Sequence, residues 1–217
     1  LTSAFTSVVG SYLFESWWIG LLFGVAGSLA VSLLFAFFVL KMKTGEFITG
    51  IAINTFVAGA TTYYLRQLFD VKGSLMDPRI VALPKWDIPI IKNIPVIGSI
   101  INGHAFPLYF TFFIIVPLVY VIIYKTPFGL RLRACGHDSK VIDSVGIKAD
   151  KLKFISIMIC GALCGVGGTF LSLGIMRMFT ENMSNGRGWI SLAIIILSLG
   201  NPVKVFAICI IFGITEG

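Results

Sequence analysis

Apolar residues fall in long blocks along this chain, and the blocks are broken by short charged or Gly/Pro-containing stretches. A helix that crosses a bilayer needs about 20 mostly apolar residues. Trp17–Leu40 is such a block, with Trp17 and Trp18 as an interfacial belt at one end and Lys41 and Lys43 at the other. Phe47–Leu65 follows after a short polar turn, and Pro107–Tyr124 and Phe154–Met176 are two further candidates. Trp189–Leu199 and Val203–Ile214 are too short to cross alone and are separated by Gly200-Asn201-Pro202. They read either as a re-entrant pair or as one broken spanning helix. Leu1–Phe14 reads as the remnant of another helix. The chain starts at Leu1 without a basic leader and stops at Gly217 directly after an apolar run. The expectation is a fragment of a longer protein, truncated at both ends. The expected fold is an all-α polytopic membrane protein, a transmembrane bundle with short re-entrant or broken helices, forming a single domain over residues 1–217.

Two features refine the bundle. Gly20, Gly24 and Ser28 recur on one face of the first long block, and Gly161, Gly165 and Gly168 share a face of the fourth. Small residues in such rows let helix backbones approach closely in lipid, so they predict helix–helix packing. Between Arg66 and Phe106 lies a loop with Pro78, Pro84, Pro89 and Pro95. Its apolar run Ile88–Gly98 holds two prolines and cannot be a regular spanning helix, so it predicts an interfacial or re-entrant cap.

Composition supports the membrane reading. Hydrophobic residues make up 57% and charged residues 12% of the 217, and mean hydropathy is +0.94. A soluble domain carries about 25% charged residues, so a soluble enzyme and a disordered chain are both excluded. The net charge of +7 arises from 17 Lys+Arg against 10 Asp+Glu. The positive-inside bias accounts for this surplus without nucleic acid. Lys125, Arg131, Arg133, Lys140, Lys148, Lys151 and Lys153 cluster in one short loop, on the same side as Lys41 and Lys43 by helix parity. Arg66, Lys72, Arg79, Lys85 and Lys92 on the opposite side are diluted by Asp70, Asp77 and Asp87. Residues 125–153 are therefore expected to be cytoplasmic and residues 66–106 to face outside. Three of the four cysteines (Cys135, Cys160, Cys164, Cys209) sit in apolar runs, which argues against a disulfide framework. Cys160 and Cys164 share a helical face without a nearby His or carboxylate, so they read as packing residues and not as metal ligands.

The segment Gly129–Ile147 is the most informative polar stretch. Asp138 can cap a short helix over Ser139–Val145, Gly136 can permit a tight turn, Gly146 can end the helix, and Asp150 can cap the next membrane helix. Polar residues inside spans are costly and mark candidates for function. Asn54 lies mid-segment in the second block, and Glu181, Asn182 and Arg187 precede the short helix at Trp189.

Arg131-Leu132-Arg133-Ala134-Cys135-Gly136, then Asp138, then Val145-Gly146-Ile147, resembles the coupling-loop motif of the branched-chain amino acid/ribose class of ABC importer permeases. Gly50–Asn54, Ile88-Pro89-Ile90 with Ile94–Gly98, and Phe179–Met183 with Gly186-Arg187-Gly188 are similar to the nucleoside/simple-sugar subgroup, which works with a basic-membrane-lipoprotein type binding protein. The resemblance runs from about Trp17 to the end, with Cys135 and His137 as departures inside the coupling motif. It implies a permease of the bacterial cytoplasmic membrane that carries a nucleoside or simple sugar inward. The coupling residues it implies are Arg131, Arg133, Ala134, Gly136, Asp138, Gly146 and Ile147, and the pathway residues are Asn54, Glu181, Asn182 and Arg187. The implied partners are an ATP-binding cassette subunit, a second permease (a paralogue or a second copy) and an extracytoplasmic substrate-binding lipoprotein.

The sequence has no G-x-x-x-x-G-K-[ST] phosphate loop, so ATP is expected on the partner subunit and no cofactor on this chain. It also offers no Ser/His/Asp or Cys/His constellation, so catalysis is not expected. Branched-chain amino acids or ribose are the alternative substrates within the class. An ion-coupled secondary transporter is the rival from another class, and it calls for acidic residues inside spans. Glu15, Glu46, Glu181 and Glu216 lie at ends or in loops. A membrane scaffold would leave the ordered coupling motif without a role.

Overall fold

A computed structural model describes residues 1–71, 73–84, 114–144 and 146–216. In chain order, the first helices are α1 (Thr2–Phe14), α2 (Trp17–Ala36, continued by a π-helical segment Phe37–Lys41) and α3 (Glu46–Phe69). Next come α4 (Val116–Lys125), α5 (Pro127–His137), α6 (Ser139–Ser144) and α7 (Ala149–Thr169, continued by a π-helical segment Phe170–Met176). The last are α8 (Arg187–Leu197) and α9 (Pro202–Glu216). Two-residue strands β1 (Ser74–Leu75) and β2 (Phe179–Thr180) pair antiparallel, Ser74 opposite Thr180 and Leu75 opposite Phe179. The chain divides into two compact units, Leu1–Leu108 with Lys153–Met183, and Tyr109–Leu152 with Ser184–Gly217.

The helical stretches Trp17–Lys41, 25 residues, and Ala149–Met176, 28 residues, are long and apolar enough to cross a membrane. α3 is as long at 24 residues, but Thr49, Asn54, Thr55, Thr61 and Thr62 dilute its apolar content.

Several boundaries differ from expectation for local reasons. α3 ends where Asp70 adopts a left-handed conformation (φ 52°), so Arg66 lies in its last turn and not in the following loop. α7 starts at Ala149, which puts Asp150 inside its first turn and not at its cap. Within Leu1–Phe14 the helix runs over Thr2–Phe14 and ends at a left-handed Glu15. The apolar pair near the C-terminus begins at Arg187 and Pro202, with Leu199 (φ 54°) and Gly200 (φ 71°) making the break. The strand pair is too short to show an alternating pattern, and an all-α expectation misses it. The Ile88–Gly98 cap, His104 and the start of the Pro107–Tyr124 block lie outside the described residues.

The first unit is held by close approach of α1, α2 and α7. Ser28 Oγ donates to the carbonyl of Gly161 at 2.6 Å and Ser3 Oγ to that of Gly165 at 2.5 Å. The hydroxyls of Ser7 and Ser172 lie 2.9 Å apart. A side chain on Gly165 would place its Cβ 2.8 Å from the Cα of Val25, and one on Gly168 would meet Ser3 Oγ at 2.8 Å. The rows of small residues therefore form a real helix–helix seam. Beside it lies an apolar cluster in which Val8, Leu65, Leu173 and Phe179 are fully buried. The ring of Phe5 packs edge-on to Phe179 at 5.3 Å. Residues 73–83 are laced onto this cluster. Glu181 N–H donates to the Gly73 carbonyl at 2.9 Å, Leu83 N–H to that of Leu173 at 3.2 Å, and Val81 N–H to Ser11 Oγ at 3.0 Å.

Gly165→Val should therefore weaken the seam by about 1–3 kcal/mol, the usual cost of overpacking. Gly167 has open space where a side chain would go, so Gly167→Ala should be no less stable than wild type. Thermal unfolding in detergent, followed by loss of the monodisperse size-exclusion peak, separates the two, and equal midpoints would contradict the seam.

Candidate functional site

Two places gather the residues that the sequence singles out. The first is a helical knob in the second unit, built from α5, α6 and the start of α7. Thr126 opens it, extended at φ −108°, ψ 153°, with its hydroxyl accepting the Gly129 N–H at 3.3 Å. Pro127 follows at the first helical position, where its missing N–H costs nothing. Gly129 lies against the end of α4, and a Cβ there would collide with the carbonyl oxygens of Ile122 and Ile123. That contact fixes the corner between α4 and α5. Arg133 stacks over the Tyr124 ring with its guanidinium carbon 4.8 Å from the centroid, a cation–π contact that orients the side chain. Arg131 is exposed.

α6 ends in a motif that its sequence encodes. Gly146 is left-handed (φ 82°), as a helix-ending glycine should be. Its N–H donates to the Asp143 carbonyl at 3.0 Å, and that of Ile147 to the Ile142 carbonyl at 3.2 Å. This is the paired hydrogen-bond pattern of a Schellman end. The accompanying apolar contact is present too, with Ile142 and Ile147 in one cluster with Cys135, Ala149 and Leu152. Asp143 then reaches forward, and its Oδ1 accepts the Ala149 N–H at 2.9 Å. An amide left over at the start of α7 is thereby satisfied. Asp143 does the work expected of Asp150.

The knob brings Arg131, Arg133, Ala134, Gly136, Asp138, Gly146 and Ile147 into one unit, with differing parts. Ala134 and Ile147 pack against the buried cluster. Asp138 is extended (φ −152°, ψ 115°) between α5 and α6. Gly136 corrects an expectation: it is an exposed residue within α5, without a left-handed φ and with open space around it. The turn falls at Asp138 because α5 runs on through His137.

The second place is a cleft of about 390 Å³ in the first unit, among α1, α2, α3 and α7. Asn54 lines it from α3, Ser28 and Ser32 from α2, and Cys160 and Cys164 from α7. Glu181 and Asn182 lie elsewhere in that unit, in the turn after β2, where Asn182 is left-handed (φ 56°). Glu181 faces Arg66 Nη2 at 3.6 Å, and its buried Oε1 has no hydrogen-bond partner among the described residues. Neither lines the cleft. Arg187 belongs to the second unit, where it is exposed and opens α8.

The family model for the branched-chain amino acid transport system / permease component matches residues 1–217. The chain belongs to this permease family. Among its relatives, the guanosine ABC transporter permease protein NupQ of Bacillus subtilis is 29% identical over 100% of this chain and 69% of its own length. The nucleoside ABC transporter permease protein NupC of Lactococcus lactis is 29% identical over 97% of this chain and 68% of its own. TsgC13 of Haloferax volcanii, a provisionally named glucose ABC transporter permease, is 25% identical over 97% of this chain and 61% of its own. This permease chain thus spans about two thirds of the length of these relatives. No solved structure matches it.

Within the permease knob, sequence reasoning missed three residues. Thr126 and Gly129 were legible, because a threonine followed by proline is a helix-start signal. Asp143 was not, because its bond skips six residues to another helix. Asp143→Ala should cost about 1 kcal/mol of local stability, the usual worth of such a cap. Hydrogen exchange should show faster exchange at the Ala149 amide in that variant, with Asp143→Asn close to wild type. Unchanged protection would contradict the cap.

Proposed function

We propose that this chain is the membrane-spanning subunit of a bacterial ABC importer that moves a nucleoside or simple sugar inward. The observation that carries the reading is the family match over the whole chain, with relatives named for guanosine, nucleoside and glucose transport. ATP is bound and hydrolysed by a separate cassette subunit that docks on the knob of α5 and α6. A second permease, paralogue or copy, completes the pathway, and an extracytoplasmic lipoprotein delivers the solute. Together α8 and α9 form a re-entrant pair or a broken span, and neither is long enough to cross alone.

The knob suits a mechanical role. A six-residue helix tied at its end by a Schellman motif, by Asp143 and by an apolar cluster moves as one body with the start of α7. Ion-coupled transport fits less well. Glu15 follows α1, Glu46 opens α3, and Glu181 sits in the β2 turn.

Gly146→Val forces a β-branched residue into a left-handed conformation, which costs about 1–2 kcal/mol and frays the knob. In reconstituted complex it should lower substrate-stimulated ATP hydrolysis and uptake together while the subunit still inserts. Full stimulation and full uptake in this variant would remove the coupling role. Orientation has its own check, with single cysteines at Ser139 and Ser74 in a background without the native cysteines. An impermeant thiol reagent on whole cells should label the Ser74→Cys site and spare the Ser139→Cys site, and the reverse would turn the knob away from the ATPase.

A further inference from the structure

A second groove of the first unit, about 460 Å³ in volume, lies between the end of α2 and the start of α3. Its walls are Leu34 and Phe38 on α2 and Ile48, Ala52 and Phe56 on α3. Ile48 is 73% and Phe56 66% exposed, so the groove is open along its outer side. Two hydroxyls reach it, and their hydrogens are spent inside the turn between the helices. Thr44 Oγ1 donates to the Phe38 carbonyl and Thr49 Oγ1 to that of Gly45, each at 2.9 Å, with the two oxygens 2.8 Å apart. The wall thus offers an occupant dispersion contacts and no spare donor.

Depth and charge narrow the occupant further. From Ile48 to Phe56 the wall rises about 12 Å along α3, close to the hydrocarbon depth of one leaflet, about 15 Å. At the turn end stand two cations. Lys41 closes the 25-residue apolar stretch Trp17–Lys41, the level at which a spanning helix meets lipid phosphates. Its ammonium lies 5.4 Å from the centroid of the Phe37 ring. Lys43 follows in a left-handed conformation (φ 53°). Glu46 is the acid nearest in sequence, and it makes no ion pair with either lysine among the described residues. The turn therefore keeps a net positive charge beside an apolar groove one leaflet deep.

We propose that this groove is a binding site for an anionic phospholipid, with one acyl chain lying along α3 and the headgroup phosphate held by Lys41 and Lys43. A chain seated there supplies, between two diverging helices, the close-range contacts that helix packing supplies elsewhere in lipid. The proposal needs α2 to span the bilayer and is independent of the solute that the permease carries.

The test uses the full-length permease in its assembled complex, in phosphatidylcholine liposomes. Phosphatidylglycerol with a photoactivatable diazirine on its acyl chain is added at a mole fraction low enough for labelling to follow affinity, and attachment sites are mapped by mass spectrometry. Adducts should concentrate on the groove residues of α2 and α3. Unlabelled phosphatidylglycerol should displace them, and extra phosphatidylcholine or inorganic phosphate should not. A lysine near an anionic lipid surface is worth about fivefold in affinity, so Lys41→Gln with Lys43→Gln should lower labelling tenfold or more. The charge-matched pair Lys148→Gln with Lys151→Gln should leave it unchanged. Ala52→Phe, which narrows the groove, should lower labelling several-fold; if that variant does not assemble, the lysine pair and the competition decide. Adducts spread evenly over the exposed faces, as far as Leu22 and Phe23, would mean bulk lipid only and overturn the site. So would displacement by phosphatidylcholine, displacement by inorganic phosphate, or equal losses in the two lysine pairs. Crosslinking of p-benzoylphenylalanine at position 56 to another subunit, with no lipid adduct in the groove, would show that protein covers it and would overturn the proposal too.

Discussion

Serine hydroxyls that reach across to glycine carbonyls hold the first unit of this chain together, and they do so because the helices touch backbone to backbone. In a bilayer there is little hydrophobic gain in bringing two apolar helices together, so association depends on dispersion at close range and on satisfied polar groups. Gly161 and Gly165 supply the close range, and Ser3 and Ser28 supply the polar contacts. Each hydroxyl that bonds a carbonyl on a neighbouring helix is hidden from lipid. Beside the seam lies the cleft among α1, α2, α3 and α7 that Asn54 lines.

The knob is held by other means. Three devices that are each modest act on the same few residues: a helix start at Thr126-Pro127, a Schellman end at Gly146-Ile147, and the Asp143 bond to the Ala149 amide. The cluster of Cys135, Ile142, Ala149 and Leu152 lies beneath them. A loop of this length left to itself would dissipate a push from a partner. A capped and packed turn moves as one body, which is what the proposed coupling role requires.

Much of this was legible in the residues because membrane helices announce themselves. Trp17–Leu40 and the observed stretch Trp17–Lys41 differ by a single residue, and the glycine rows named the seam correctly. Gly146 was legible as well, since a glycine after a short helix carries its own conformational reason. What escaped detection depends on long-range partners. Asp143 rather than Asp150 caps α7, because the deciding donor is six residues away. Gly136 has no turn to make, because α5 continues through His137. The β1–β2 pair joins residues more than a hundred positions apart through two residues on each side. The pairing of Arg66 with Glu181 depends on that ladder, and neither residue alone advertises it.

The central claim is that ATP hydrolysed by a partner subunit drives solute through this chain. Its most direct test is accumulation of guanosine or glucose in proteoliposomes that hold the complete complex, with ATP on the side of the knob and all ion gradients collapsed by ionophores. The account predicts accumulation that requires ATP and the binding lipoprotein and is indifferent to the ionophores. Accumulation that proceeds without ATP, driven by an imposed proton or sodium gradient, would contradict it.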